Sequence, residues 1–82
     1  MYEVIFSKKA EKFLDKINPK DQERILLATE RLLIRPESYI VRLVGSPLYK
    51  FRVGNYRLLM DFEKGRLTIL CVEIGHRKNI YK

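Results

Sequence analysis

The sequence predicts an α+β fold in the order β-α-α-β-β-β, with a helical hairpin packed on a mainly antiparallel four-stranded sheet. Three observations carry this. Ala10, Phe13, Leu14 and Ile17 recur at i, i+3, i+4, i+7, the spacing of one buried helical stripe. Asn18-Pro19 then separates that stripe from a second apolar-periodic stretch ending at Arg35-Pro36. From Leu48 onward, three strand-like segments are divided by Gly54-Asn55 and Lys64-Gly65, which have the chemistry of tight turns.

Each element has a local reason. Val4-Ile5-Phe6 is short, apolar and β-branched, and reads as a strand. Ser7 can cap the first helix. Asn18 can cap the second, with Pro19 at the first helical position, where a missing N–H costs nothing. Asp21 and Glu23 lie in its first turn, where the helix dipole favours negative charge. Ile25, Ala28 and Leu32, with Leu26, Thr29 and Leu33, give its apolar face. Pro36 ends it by pushing Arg35 out of the α region. Residues 38–47 form an irregular connector closed by Gly45-Ser46-Pro47. Leu48 to Val53 alternates, with Tyr49, Phe51 and Val53 on one side and Lys50 and Arg52 on the other. Tyr56 to Glu63 is the next strand. Leu67 to Ile74 is apolar at nearly every position, as expected of a central strand covered on both faces, and Gly75 ends it.

The chain has 82 residues, enough for one domain and one small core; a chain of this size buries roughly 60% of its unfolded surface. A deep substrate cavity is excluded, so any active site is a shallow surface, which suits a polymer better than a metabolite. The net charge is +7, and it is uneven. Residues 1–47 carry nine basic and seven acidic groups, whereas residues 48–82 carry eight and three. That asymmetry points to a polyanionic partner, although a merely soluble basic domain shares it. One cysteine, Cys71, excludes an internal disulfide and fits a reducing, cytoplasmic compartment. One His and one Cys cannot build a zinc site, so no metal or cofactor is expected. No apolar run is long enough to span a bilayer, so no membrane partner is expected either.

Two groups of residues can carry chemistry. Lys50 and Arg52 project from one sheet face, and simple pairing through Gly54-Asn55 brings Arg57 beside Arg52. Like charges side by side destabilise a sheet unless a bound polyanion compensates them; the other reading is a solvated edge with cations blocking further pairing. The second group is Gly75-His76-Arg77-Lys78 with Tyr81 and Lys82: a residue type that exchanges protons near neutral pH, added positive charge and a stacking ring. A basic tail accounts for it equally well. Cys71, mid-strand among apolar neighbours, reads as a small buried hydrophobe.

The segment Leu43-Val44-Gly45-Ser46-Pro47-Leu48-Tyr49-Lys50-Phe51-Arg52-Val53-Gly54-Asn55-Tyr56-Arg57-Leu58-Leu59 resembles the central signature of the RelE/ParE superfamily of toxin–antitoxin toxins. Val72-Glu73-Ile74-Gly75-His76-Arg77-Lys78-Asn79-Ile80-Tyr81 resembles its C-terminal signature, and the element order agrees, so residues 1–82 read as a single RelE-like toxin domain. The resemblance implies a ribosome-dependent endoribonuclease that cuts mRNA in the A site without a metal. The 2′-hydroxyl attacks the adjacent phosphate, leaving a 2′,3′-cyclic phosphate and a free 5′-hydroxyl. By the same resemblance the catalytic positions are Lys50, Arg52, Arg57, Arg77 and Tyr81; Arg52 stands where RelE has lysine. Lys78 and Lys82 are expected to contact RNA. His76 is a third acid/base candidate beside Lys50 and Tyr81, or an RNA contact, and RelE has no histidine there. A guanidinium does not give up its proton in a protein, so Arg57 and Arg77 are expected to stabilise charge. The implied partners are a RelB-like antitoxin, the ribosome and mRNA. Two alternatives remain open: a ParE-like toxin that inhibits DNA gyrase and cleaves nothing, and a degenerate member that only binds its antitoxin.

Overall fold

A computed structural model describes residues 1–76 of the chain. Strand β1 spans Glu3–Phe6, helices α1 and α2 span Lys8–Lys16 and Pro19–Thr29, and strands β2 to β5 span Val41–Arg42, Tyr49–Val53, Tyr56–Glu63 and Thr68–His76. They form one sheet in the order β1-β5-β4-β3-β2. β1 lies parallel to β5, and every other pair is antiparallel. Among the described residues, no helix is long and apolar enough to cross a membrane.

The helical hairpin is capped as its sequence dictates. Ser7 Oγ accepts from the Ala10 backbone N–H at 3.1 Å, and Asn18 Oδ1 accepts from that of Asp21 at 2.9 Å. Each bond satisfies one of the donors a helix start leaves free. The first stripe is as expected: Ala10 and Leu14 are buried, with Phe13 and Ile17 packed against the core. The second helix is shorter than expected. Its α-form stops at Thr29, whose hydroxyl bonds back to the Leu26 carbonyl at 2.7 Å. Glu30–Leu33 then tightens into a 3-10 turn, and a second such turn, Pro36–Ser38, starts at the proline. Pro36 removes the N–H that an α-helix would need there.

The sheet has five strands rather than four. The connector contains a two-residue strand, Val41–Arg42, paired with Lys50 and Tyr49. The Leu43 N–H donates to the Leu48 carbonyl at 3.0 Å, and Gly45 at φ 73° supplies the left-handed turn between them. Two residues are too few to show a period of two, so composition gave no sign of this strand. The β3–β4 hairpin has the simple register expected from its turn, with Arg52 opposite Arg57 and Val53 opposite Tyr56. Gly54 sits at φ 57° and Asn55 keeps a negative φ, as when glycine occupies the first position of a two-residue hairpin turn.

Strand β5 differs from expectation in two ways. It begins after Leu67, which takes φ 56°, and it runs past Gly75 to His76. Leu59 pairs with Glu73 and Met60 with Cys71, so Val72 is an extra residue in β5. This β-bulge shifts the phase of the strand. Ile69 and Cys71 are buried before it, Ile74 after it, and the burial interval changes from two to three. The near-continuous apolar run therefore comes from a phase change, not from cover on both faces. Only one face packs against the helices, where Phe51, Val53, Tyr56, Leu58, Met60, Phe62, Ile69, Cys71 and Ile74 meet Ala10, Leu14, Ile25 and Leu32. Ser7 ties the bulge to the helices: its hydroxyl donates to the Val72 carbonyl at 2.6 Å while accepting from the α1 N-terminus.

Candidate functional site

The open face of the sheet presents what the helix face does not use. Phe51 and Val53 are 3% and 6% exposed, so the alternation of β3 turns Lys50 and Arg52 to the other side. Arg57, next to buried Tyr56 and Leu58 on β4, shares that side. Lys50, Arg52 and Arg57 together line one groove of about 220 Å³, closed laterally by Tyr39 and Val41. Arg57 is half-buried, with its Nε atom withdrawn from solvent, whereas Arg52 is exposed. The groove is therefore graded, from a guanidinium set into the sheet to one at its rim. Fixed positive charge in a partly desolvated groove suits a phosphodiester, whose oxygens gain charge during cleavage. Guanidinium groups can also hold two phosphate oxygens at once.

Tyr39 and Val41 were not legible as site residues. Tyr39 follows the Pro36–Ser38 turn, and Val41 opens the unforeseen strand β2; only their pairing with β3 brings them to Lys50. They give the basic groove a ring and an apolar wall, both substantially exposed.

His76 is not brought to this groove. Its partner across β4–β5 is Tyr56, on the helix-covered face. Its ring lies 5.0 Å from that of Tyr56 and 6.3 Å from that of Phe13. Without the extra residue at Val72, His76 would fall in phase with Leu70 on the open face. With it, Gly75 takes that side, opposite Arg57, and His76 joins an aromatic cluster at the end of the helical hairpin. Arg77, Lys78, Tyr81 and Lys82 lie outside the described residues.

Around His76 there is a polar arrangement that sequence reasoning missed. Tyr56 Oη donates to Asp21 Oδ2 at 2.7 Å, across 35 residues of sequence. That bond holds the Asp21 carboxyl below its usual range, opposed by burial and helped by Asn18 and by the charges of Arg24 and His76. The same bond, with burial, pushes the Tyr56 phenol up. Asp21 was legible only as a helix-dipole residue; nothing local showed that it reaches the sheet. Burial also pushes the Cys71 thiol up to about 12, as befits a core residue.

The two helices on a mixed sheet, with a basic groove on its open face, are those of a small toxin of the type II toxin–antitoxin class, as the family match shows. The family model described as the ParE toxin of the type II toxin–antitoxin system parDE matches residues 4–81, and the chain belongs to that family, within the RelE/ParE superfamily. No curated protein matches it. Among solved structures it is similar to the toxin–antitoxin complex RelBE2 from Mycobacterium tuberculosis, at 25% identity and a TM-score of 0.80 over 93% of this chain and 98% of that one. It is similar to the RelB–RelE antitoxin–toxin complex from Methanococcus jannaschii, at 27% identity and a TM-score of 0.68 over 94% of each chain. The archaeal RelE–RelB complex from Pyrococcus horikoshii OT3 shares the fold, at 24% identity and a TM-score of 0.80 over 95% and 97%. By family model the chain is ParE-like, and by structure it is close to RelE.

Proposed function

We propose that this toxin is a ribosome-dependent mRNA endoribonuclease that acts in the cytoplasm and inhibits translation. The observation that carries the reading is the convergence of Lys50, Arg52 and Arg57 on one shallow groove. A groove of that size receives a strand, not an enclosed metabolite. In the proposed reaction the ribose 2′-hydroxyl attacks the adjacent phosphorus and loses its proton to a base. The P–O5′ bond breaks, and the leaving oxygen takes up a proton, giving a 2′,3′-cyclic phosphate and a 5′-hydroxyl. Arg57, and Arg77 by resemblance, neutralise charge on the phosphoryl oxygens. Lys50 and Tyr81 are the groups that can exchange the proton, since an arginine cannot. His76, on the other face, is better suited to a supporting role. Lys78 and Lys82 are proposed RNA contacts, and a RelB-like antitoxin is the proposed protein partner.

A second reading has its own support. The matching family model is described as a ParE toxin, so a gyrase inhibitor with no nuclease activity is the competing function. One pair of assays separates them. In a translating extract the wild type should cut mRNA only when ribosomes are present, and Arg77→Ala should abolish cutting while the protein stays folded. Full cleavage by Arg77→Ala, or intact mRNA together with blocked gyrase supercoiling, would overturn the nuclease reading.

A further inference from the structure

A second basic hollow lies beyond the rim of the first. It has a volume of about 320 Å³, between α2 and the β3–β4 turn, and Arg24, Arg31 and Arg52 line it with Leu27 and Gly54. No carboxylate is among its lining residues, and none of the three arginines forms an ion pair with a described carboxylate. Asp21 feels the charge of Arg24, but its carboxylate is already held by Tyr56 and by Asn18 Nδ2. Three guanidiniums drawn from a helix, a 3-10 turn and a strand thus line one hollow with no carboxylate in it, and among the described residues only Arg24 has an acidic neighbour, Asp21, outside it. Bringing them together costs electrostatic free energy that a bound anion would recover.

Arg24 also reaches the turn: a Cβ on Gly54 would come within 3.1 Å of Arg24 Nη1, so the guanidinium lies close over the bare backbone there. Gly54 thus supplies the positive φ of the hairpin and leaves room beside the turn for the Arg24 guanidinium. Arg52 lines both hollows, so one side chain borders the groove and the second hollow alike.

We infer that this hollow is a second phosphate subsite for the strand that occupies the groove, taking the ribose–phosphate backbone of single-stranded RNA a few nucleotides from the Lys50–Arg57 centre. The inference rests on the RNA reading proposed above. It assigns Arg24 and Arg31 to binding, not to chemistry, and makes the site longer than one nucleotide step.

The test measures binding of fluorescein-labelled oligouridylates of four and twelve nucleotides across a salt series, with wild type, Arg24→Ala/Arg31→Ala and Lys50→Ala. Each lost phosphate contact lowers the slope of log K against log salt by roughly 0.7 for a single strand. The double variant should bind the twelve-mer roughly tenfold more weakly, with a slope shallower by about 1.4, and bind the four-mer as wild type does. The lysine pair Arg24→Lys/Arg31→Lys should keep most of the slope, which separates charge from misfolding. Unchanged affinity and slope of the double variant on the twelve-mer would overturn the subsite while leaving the RNA reading intact. Failure of wild type and Lys50→Ala alike to bind either RNA would overturn both. If the double variant loses affinity for poly-L-glutamate and not for RNA, the hollow is an acidic-peptide site and the inference is wrong.

Discussion

The two faces of this sheet are written by the same strands, yet they carry different kinds of residue. On the helix-covered face the central positions of β3, β4 and β5 are filled from a narrow set of apolar and aromatic side chains, which are buried there. On the open face, Lys50, Arg52 and Arg57 line a groove instead. Arg52 and Arg57 are direct cross-strand partners, an arrangement that weakens a sheet unless something compensates it. The helix face can tolerate that cost because it supplies the core. The two faces therefore divide burial from charge, and residues adjacent in sequence should respond to substitution in opposite ways.

The largest contrast expected is chemical and lies on β5. Cys71 is wholly buried on the helix face, with its thiol pushed up to about 12, so little thiolate is present near neutral pH. Leu70, one residue earlier, lines the open face. In Leu70→Cys/Cys71→Ser the new thiol should alkylate at an ordinary rate, whereas native Cys71 should react roughly a thousandfold more slowly. Equal rates under native conditions would mean that β5 does not divide the faces as described.

The next contrast is between Lys50 and Phe51. Phe51→Ala should lower unfolding free energy by about 3–5 kcal/mol, a large part of the roughly 4–12 kcal/mol expected for a chain of this length. Lys50→Ala should leave thermal stability nearly unchanged and, on the proposed nuclease function, reduce ribosome-dependent cleavage by about 100-fold or more. Denaturant titration and single-turnover cleavage of the same preparations read both effects. A Lys50→Ala protein that cleaves normally, or a Phe51→Ala protein as stable as wild type, would break the comparison.

How much of this was legible depended on whether a local rule was left undisturbed. In β3 the alternation is clean, so its two faces could be assigned from Lys50 and Phe51 alone. The two-residue turn at Gly54-Asn55 admits one simple register, so Arg57 could be placed opposite Arg52. The bulge at Val72 could not be read. A strand that is apolar at nearly every position gives no phase, and an inserted residue leaves no mark in it. His76 joined the acid/base candidates on its chemistry alone, and the bulge that carries it to the other face could not be seen in the sequence. Tyr39 and Val41 were missed for a different reason: a two-residue strand is defined by its partner, not by its own pattern. The Asp21–Tyr56 bond joins residues 35 apart and has no local signature at all.

Ser7 tests what fixes the phase of β5. Its hydroxyl both caps α1 and donates to the carbonyl of the bulged Val72. Ser7→Ala should cost about 1–2 kcal/mol, the sum of a lost cap and a bulge carbonyl left without its donor. Ser7→Asp restores an acceptor for the helix but offers no donor to Val72. It should therefore recover only part of the loss, and amide exchange should rise at Cys71 and Glu73 in both variants. Full recovery by Ser7→Asp would show that the cap alone matters and that the bulge holds without it.

The smallest effect expected is a pH dependence at the edge where the helical hairpin meets the sheet. The Tyr56 hydrogen bond lowers the Asp21 carboxyl from its ordinary 3.8, so its contribution is fully present above that value. It is lost as the pH falls through the lower, folded-state value, because the protonated carboxyl accepts the phenol less well. Tyr56 is raised from 10.0, so its share is fully present below pH 10 and lost as the pH rises through the raised value. Tyr56→Phe removes both contributions while keeping the ring that packs against His76 and, edge-on, Phe13. Wild type should thus be the more stable protein across the middle of the pH range, and the two melting curves should converge below about pH 3.8 and again above pH 10. A constant offset at every pH would show that Tyr56 acts through packing alone and that the Asp21 bond contributes nothing to the anchoring of the sheet edge.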